Sequence, residues 1–214
     1  MRIINEMRRM MLARMELFRD EQCVVDSLPI PVAQFHLAPQ SRGDWRVHGA
    51  NYGKVSSKKM MIIGYKLHML ITLGGLILDF ELAPASVGDL AIGRELLQEH
   101  GNRIVIGNRA YVSAPVADEL WQQNRFRLLI KPRKNQRILI TASLRRLYNS
   151  VRQIIETVTS QLNAQFSIET NRAHTFWGLC ARLYTKLTAH TLCIYINRLL
   201  GVHEYLHNPS SELD

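Results

Sequence analysis

Two acids in this chain stand where an acid needs a reason. Asp26 lies inside the apolar stretch at residues 22–28 (QCVVDSL), among Cys23, Val24, Val25 and Leu28. A carboxylate in such surroundings loses its hydration, and its charge is costly unless it binds something. Divalent cations are one such partner. Phosphoryl transfer assisted by two metals needs hard oxygen ligands converging on ions about 3.5–4 Å apart. Rigid strand ends and helix faces aim ligands of that kind best. The structural alternative for Asp26 is a cap on the turn before Pro29. Glu156 is the second acid. Arg152, Glu156 and Asn163 stand at i, i+4 and i+11 and share a helix face beside an apolar stripe. From there the glutamate could reach a strand-end metal while the arginine steers phosphate. The same spacing also describes an ordinary surface ion pair.

Charge points to the class of partner. Lys and Arg number 27 against 18 Asp and Glu, a formal net charge of +9 over 214 residues. Such a balance favours polyanions, nucleic acid first, although it also serves plain solubility. The cations form two clusters, Lys54, Lys58 and Lys59, and Lys131, Arg133, Lys134 and Arg137. Both are candidate contacts to DNA phosphates, the first equally readable as a solvated loop. Three cysteines without CxxC spacing suggest neither a disulfide framework nor a zinc site. Cys180 and Cys193, in apolar helical sequence, are expected to pack as small hydrophobes. Arg8, Arg9 and Arg14 interrupt any signal-peptide core, and no run of 18 uncharged apolar residues exists to span a membrane.

The elements that must position these residues follow from pattern. Residues 3–19 read as a basic amphipathic helix with Ile3, Met7, Met11, Met15 and Phe18 at helical spacing, docking on the core. Residues 22–28 read as a short buried strand stopped by Pro29 and Pro31. Residues 36–60 read as polar and irregular. IIGYKLHMLITL alternates, Gly74 and Gly75 turn, and LILDFELAP returns as the second arm of a hairpin. Asp89 caps a helix to about residue 100. RIVIG at 103–107 is another buried strand with Asn108 at its C-terminal end. A helix at 115–124, the strand FRLLIK and a basic loop follow. A long helix spans 143–163 with Leu144, Leu147, Val151, Ile155, Val158 and Leu162 on one stripe. The last helix runs from about 174 to 200, and the tail NPSSELD frays. A hairpin followed by βαβ units implies an α/β fold, a mixed sheet flanked by helices. This is the element order of the ribonuclease H-like fold, here with extra N- and C-terminal helices. The expected divisions are a helix and linker at 1–21, the main domain at 22–200 and a flexible tail at 201–214.

Read together, several blocks resemble one family. DSLPIPV at 26–32 is similar to the first-aspartate motif of the DDE transposases of bacterial insertion sequences, particularly the nine-eighty-two group. GYKLHMLITLGGLILDFELAPASVGDL at 64–90 resembles that group's GxKxH strand, hairpin and S-x-x-D. IGNRAY at 106–111 resembles a segment that normally reads GD(K/R)(A/G)Y. IKPRKNQR at 130–137 resembles its RKxNxxR loop, and RQIIETVTSQL at 152–162 its glutamate-bearing RKxIETxFSQ helix. The likeness runs from about residue 24 to 200 with the blocks in order.

The resemblance implies a DNA-cutting and DNA-joining enzyme in which three carboxylates hold two Mg²⁺ or Mn²⁺ ions. It carries over to Asp26, position 108 and Glu156 as metal-holding residues, with Arg152 as the arginine of the Y-R-E-K signature. The tyrosine and lysine of that signature fall on Asn149 and Asn163. Asn108 stands where the second aspartate belongs. An asparagine keeps the shape but offers one acceptor oxygen and no charge, so a degenerate or crippled copy is expected. Only 25 residues precede Asp26, where the family carries a DNA-end-binding region, so the expectation is an N-terminally truncated copy, or else end recognition by another part of the original protein. The resemblance also implies a cytoplasmic, nucleoid-associated protein that assembles on transposon ends and target DNA, with a homo-oligomer as one form. The other readings are a catalytically dead DNA-binding remnant and a ribonuclease H-like nuclease with a cellular role.

Overall fold

The computed structural model describes residues 1–15, 20–33, 43–55, 60–98, 100–107, 114–130 and 141–202. Its elements are α1 (Arg2–Ala13), β1 (Gln22–Ala33), α2 (Gly43–Val47), β2 (Asn51–Val55), β3 (Met60–Thr72) and β4 (Ile77–Pro84). They continue as α3 (Asp89–Gln98), β5 (Ile104–Gly107), α4 (Ala114–Asn124), β6 (Arg127–Ile130), α5 (Ala142–Phe166) and α6 (Phe176–Leu199).

The strands form one mixed sheet. β1 runs antiparallel to β3 on one side and parallel to β5 on the other, and β6 extends the parallel half. Along the other edge of β3 lie two strands end to end: β2 against residues 60–64, β4 against residues 65–71. A mixed sheet of this order, flanked by helices, is compatible with the ribonuclease H-like architecture. The expected parallel neighbours are present, residues 22–25 lying against 104–107. The alternating stretch is the hairpin β3–β4, turned at Gly75 with a φ of 80°.

Alternation along the strands sorts side chains onto two faces. Leu28, Ile30, Leu67, Met69 and Ile71 pack against Ile154, Val158 and Leu162 of α5 and Leu179, Leu183 and Leu187 of α6. Val24 and Ile106 continue that face against Tyr148 and Val151. The opposite face presents Cys23, Val25, Leu70 and Val105 to Leu12, Met15, Leu96, Leu97 and Leu120. Each such side chain contributes about 1.5–3 kcal/mol of transfer free energy. α5 starts at Thr141, whose side chain caps Leu144 N at 3.3 Å. Its buried stripe follows the expected one, with Tyr148 and Ile154 joining it and Leu144, Leu147 and Ile155 half-buried.

Several expectations are corrected. β1 does not stop at its prolines but runs through Pro29 and Pro31 to Ala33. Past Val25 it has no described neighbour on the β5 side, and the Pro31 carbonyl turns to that side, where Asn171 Nδ2 donates to it at 3.2 Å. The N–H groups that proline lacks therefore fall on an edge without a strand partner among the described residues. The ladder with β3 shifts register between Pro31 and Ala33. Gly64 faces this bulge, and a Cβ there would sit 2.2 Å from Ile30 O.

The 36–60 stretch is not wholly irregular, since it holds α2, with Trp45 buried, and β2. α1 ends at Ala13, and the first part of its expected apolar stripe faces water, Ile3 and Met7 being 76% and 56% exposed, while Met11 is half-buried and Met15 is buried as expected. Its buried face carries Leu12 and, unexpectedly, Arg8. Arg8 Nη1 donates to Ile77 O at 2.9 Å and to Leu78 O at 3.1 Å, its Nη2 lies 3.7 Å from Asp79, and it stacks over Phe80. Cys193 is exposed and Cys180 half-buried, so neither packs as a core residue; the buried thiol is Cys23. The tail beyond 202 lies outside the described residues. No helix among the described residues is long and apolar enough to cross a membrane.

Candidate active site

Asp26 follows the last described pair of β1 with β5. Among the described residues the parallel ladder runs to Val25 opposite Gly107, and Asp26 and Asn108 are the next residues in sequence. Asn108 itself lies outside the described residues, as do Lys58, Lys59, Lys131, Arg133, Lys134 and Arg137. Lys54, the described member of the two cationic clusters, is exposed on β2.

Across the antiparallel ladder Asp26 faces Met69, between Val24 and Leu28 on the side of the sheet that α5 covers. The carboxyl is half-buried, and burial among these side chains pushes its pKa up to about 6. The Ser27 backbone N–H opposes the shift and the negative charge of Asp89 adds to it. Among the described residues no cation pairs with it. A hard oxygen ligand at a strand end, lacking a counter-charge, has the chemistry a divalent ion requires.

Behind Asp26, on the opposite face, the GYKLH alternation sets Lys66 and His68 against Pro29 and Ser27. Lys66 Nζ meets Asp89 Oδ1 at 2.5 Å and donates to Val87 O at 2.8 Å. His68 is fully buried; burial lowers its pKa to about 4, Asp89 opposing and Lys66 assisting, so it is neutral near pH 7. Asp89 begins α3, as the sequence indicates, but its carboxylate is committed to Lys66. Its influence on Asp26 has no counterpart in the sequence pattern. The sequence signal for Lys66 and His68 is their two-residue spacing; no comparable signal ties Asp89, 23 residues on, to Lys66.

Glu156 differs from expectation. The sequence pattern has the apolar stripe of α5 aim this carboxylate between Asp26 and position 108. The stripe packs as expected, but at 3.6 residues per turn it leaves Glu156 about 140° around the helix from its centre. Glu156 is 62% exposed, Arg152 is 79% exposed, and Arg152 Nε donates to Glu156 Oε1 at 2.8 Å. This is the surface pair allowed by the i, i+4 spacing. Asn163, on the same face, bonds Glu169 through both its amide atoms at the end of α5. Among the described residues no three His, Cys, Asp or Glu side chains are gathered closely enough to hold a metal ion. Asp26 fits a metal ligand; Glu156, as it stands, does not complete the set.

The profile of the Transposase DDE domain matches residues 18–192. The chain belongs to the DDE transposase family. The match runs from before β1 into α6 and spans Asp26, position 108 and Glu156. DDE transposases act on DNA by nuclease and transposition chemistry, generally with divalent metal. Comparison with curated proteins and with solved structures gave no match.

Proposed function

We propose that this chain is the catalytic domain of an insertion-sequence transposase of the nine-eighty-two group, cutting and joining DNA strands at a site built on Asp26, Asn108 and Glu156. The observation that carries this reading is the uncompensated, half-buried carboxylate of Asp26, one residue beyond the parallel ladder that links β1 to β5. Mg²⁺ or Mn²⁺ bound by these three residues would activate a water or a DNA 3′-hydroxyl and stabilise the leaving oxygen.

The chain's own residues have separate parts in this. Asp26 supplies a charged oxygen on a rigid strand, and a bound cation would relieve the burial that raises its pKa. Glu156 must exchange its Arg152 partner for the site, which frees the guanidinium to hold a DNA phosphate. Asn108 supplies one neutral oxygen where the family uses a carboxylate, so the set is one negative charge short. Lys54, Lys58, Lys59, Lys131, Arg133, Lys134 and Arg137 are proposed to contact DNA phosphates, with assembly of several copies on DNA.

A second reading is a DNA-binding remnant without catalysis. The asparagine at 108 and the solvent-facing pair of Arg152 with Glu156 favour it. The deciding experiment is Mn²⁺-dependent cleavage of a DNA duplex by the natural chain and by Asn108→Asp. Weak or absent cleavage that rises at least about tenfold on restoring the carboxylate supports the enzyme reading; each tenfold is about 1.4 kcal/mol of barrier. Strong cleavage unchanged by the substitution refutes the assignment of position 108. No cleavage by either form, with DNA binding intact, selects the remnant.

A further inference from the structure

The far edge of the sheet carries a second cluster with a chemistry of its own. Trp121, on α4, is 43% exposed, and the guanidinium carbons of Arg125 and Arg127 each lie 5.7 Å from its ring centroid. Both arginines are exposed, and neither forms an ion pair among the described residues. The nearby Glu119 is already taken by Arg94, which leaves Asp118, one turn before Trp121, as the exposed acid on that helix.

The backbone holds this arrangement at a cost. α4 closes with Arg125 N bonded to Trp121 O at 3.1 Å and Phe126 N to Leu120 O at 3.2 Å. That closure needs a left-handed residue, and Arg125 occupies it with a φ of 59°. Glycine is the usual occupant of such a place, because a side chain there is strained. The strained conformation brings an arginine over the exposed indole instead. Phe126 is buried, which anchors the turn, and Arg127 opens β6 at the end of the sheet.

We propose that Trp121, Arg125 and Arg127 form a contact site for the phosphodiester backbone of duplex DNA, separate from the Asp26 site. The indole holds two guanidinium groups in place by cation–π attraction, and their free N–H forks suit phosphate oxygens. The site is distinct by position. Arg127 lies opposite Ile104, and Ile104 opposite Gln22, four residues before Asp26. With strands about 4.8 Å apart and about 3.3 Å per residue, that is roughly 16 Å from Asp26 along the sheet. A second copy of the chain is a poorer occupant, since two arginines gathered at one surface repel their own image. The proposal rests on the reading of the protein as one that acts on DNA.

The test is a salt titration of binding to a fluorescently labelled random-sequence duplex, comparing the natural chain with Arg125→Gly, Arg127→Gln and the double variant. If each arginine holds one phosphate, each substitution makes the slope of log K against log salt shallower by about 0.9 and weakens binding about eightfold at 0.1 M salt. Arg125→Gly should also raise Tm, because glycine relieves the positive φ, so its weaker binding cannot come from unfolding. Natural slope and affinity in all three variants overturns the proposal while leaving DNA binding by the protein standing. Absence of DNA binding by the natural chain at low salt overturns the reading beneath it as well. Unchanged DNA binding with lost binding to polyglutamate would assign the surface to an acidic protein.

Discussion

Replacing Asp26 by asparagine removes a charge from a place where the fold disfavours one. Burial raises the Asp26 pKa from 3.8 to about 6. The folded state therefore favours the protonated carboxyl relative to the unfolded chain. Stability from this group is fully present below pH 3.8, is lost as pH rises through the interval to about 6, and then stays level. The difference of about 2.2 units corresponds to about 3 kcal/mol of destabilisation at pH 7, at 1.36 kcal/mol per unit. The amide of Asp26→Asn has no charge to desolvate, so the variant should be more stable than the natural chain at pH 7, by up to about 3 kcal/mol less the smaller cost of burying an amide. Urea unfolding in chelator-containing buffer from pH 3.5 to 8 would measure this. The stability difference should be close to zero at pH 3.5 and grow to its plateau near pH 6.5. Adding Mn²⁺ at pH 7 should then stabilise the natural chain and leave the variant unmoved, because only a folded state that binds the ion gains from it. A difference that is flat with pH, or a variant less stable at pH 7 than at pH 4 relative to the natural chain, would refute the claim that Asp26 is held against its preference for water.

Two further outcomes follow from buried polar groups. Arg8→Met keeps the length of the side chain but abandons the carbonyls of Ile77 and Leu78 and the carboxylate of Asp79, so it should lower urea stability by about 3 kcal/mol; a neutral effect would show that α1 does not depend on Arg8 for its docking. His68 and His190 are both held neutral by burial, with pKa values lowered to about 4. Their stabilising effect is complete above pH 6.5 and is lost as pH falls toward 4, about 3 kcal/mol for each histidine as an upper bound. His190→Phe should therefore flatten the loss of Tm between pH 6.5 and 4, and an unchanged pH profile would contradict the assigned burial.

Local pattern alone determines much of this protein. A partly alternating run at residues 62–73, two glycines and a second returning run point to a hairpin, because that arrangement pairs the two arms and buries side chains along both. The apolar stripe of α5 has the helical period, and its packing face follows from it. Asp26 stands out locally, since a carboxylate among Cys23, Val24, Val25 and Leu28 is costly wherever the chain places it. What tertiary structure decided is each question whose answer lies with a distant neighbour. Pro29 and Pro31 break a strand bonded on both edges, but among the described residues β1 is bonded on one edge past Val25, so they sit within it. Arg8 is buried because two carbonyls, an aspartate and a phenylalanine of β4 are waiting some seventy residues away, and with that face committed, Ile3 and Met7 remain in water. Glu156 shows both levels at once. Its i, i+4 spacing from Arg152 is plain in the sequence, and so is its offset from the stripe, but these leave two readings of one helix face. The packing of Val151, Ile154, Val158 and Leu162 on the sheet fixes the helix rotation, and in this structure that leaves Glu156 on the solvent side beside Arg152, because the apolar contacts set the rotation and the charged residue takes the direction left over.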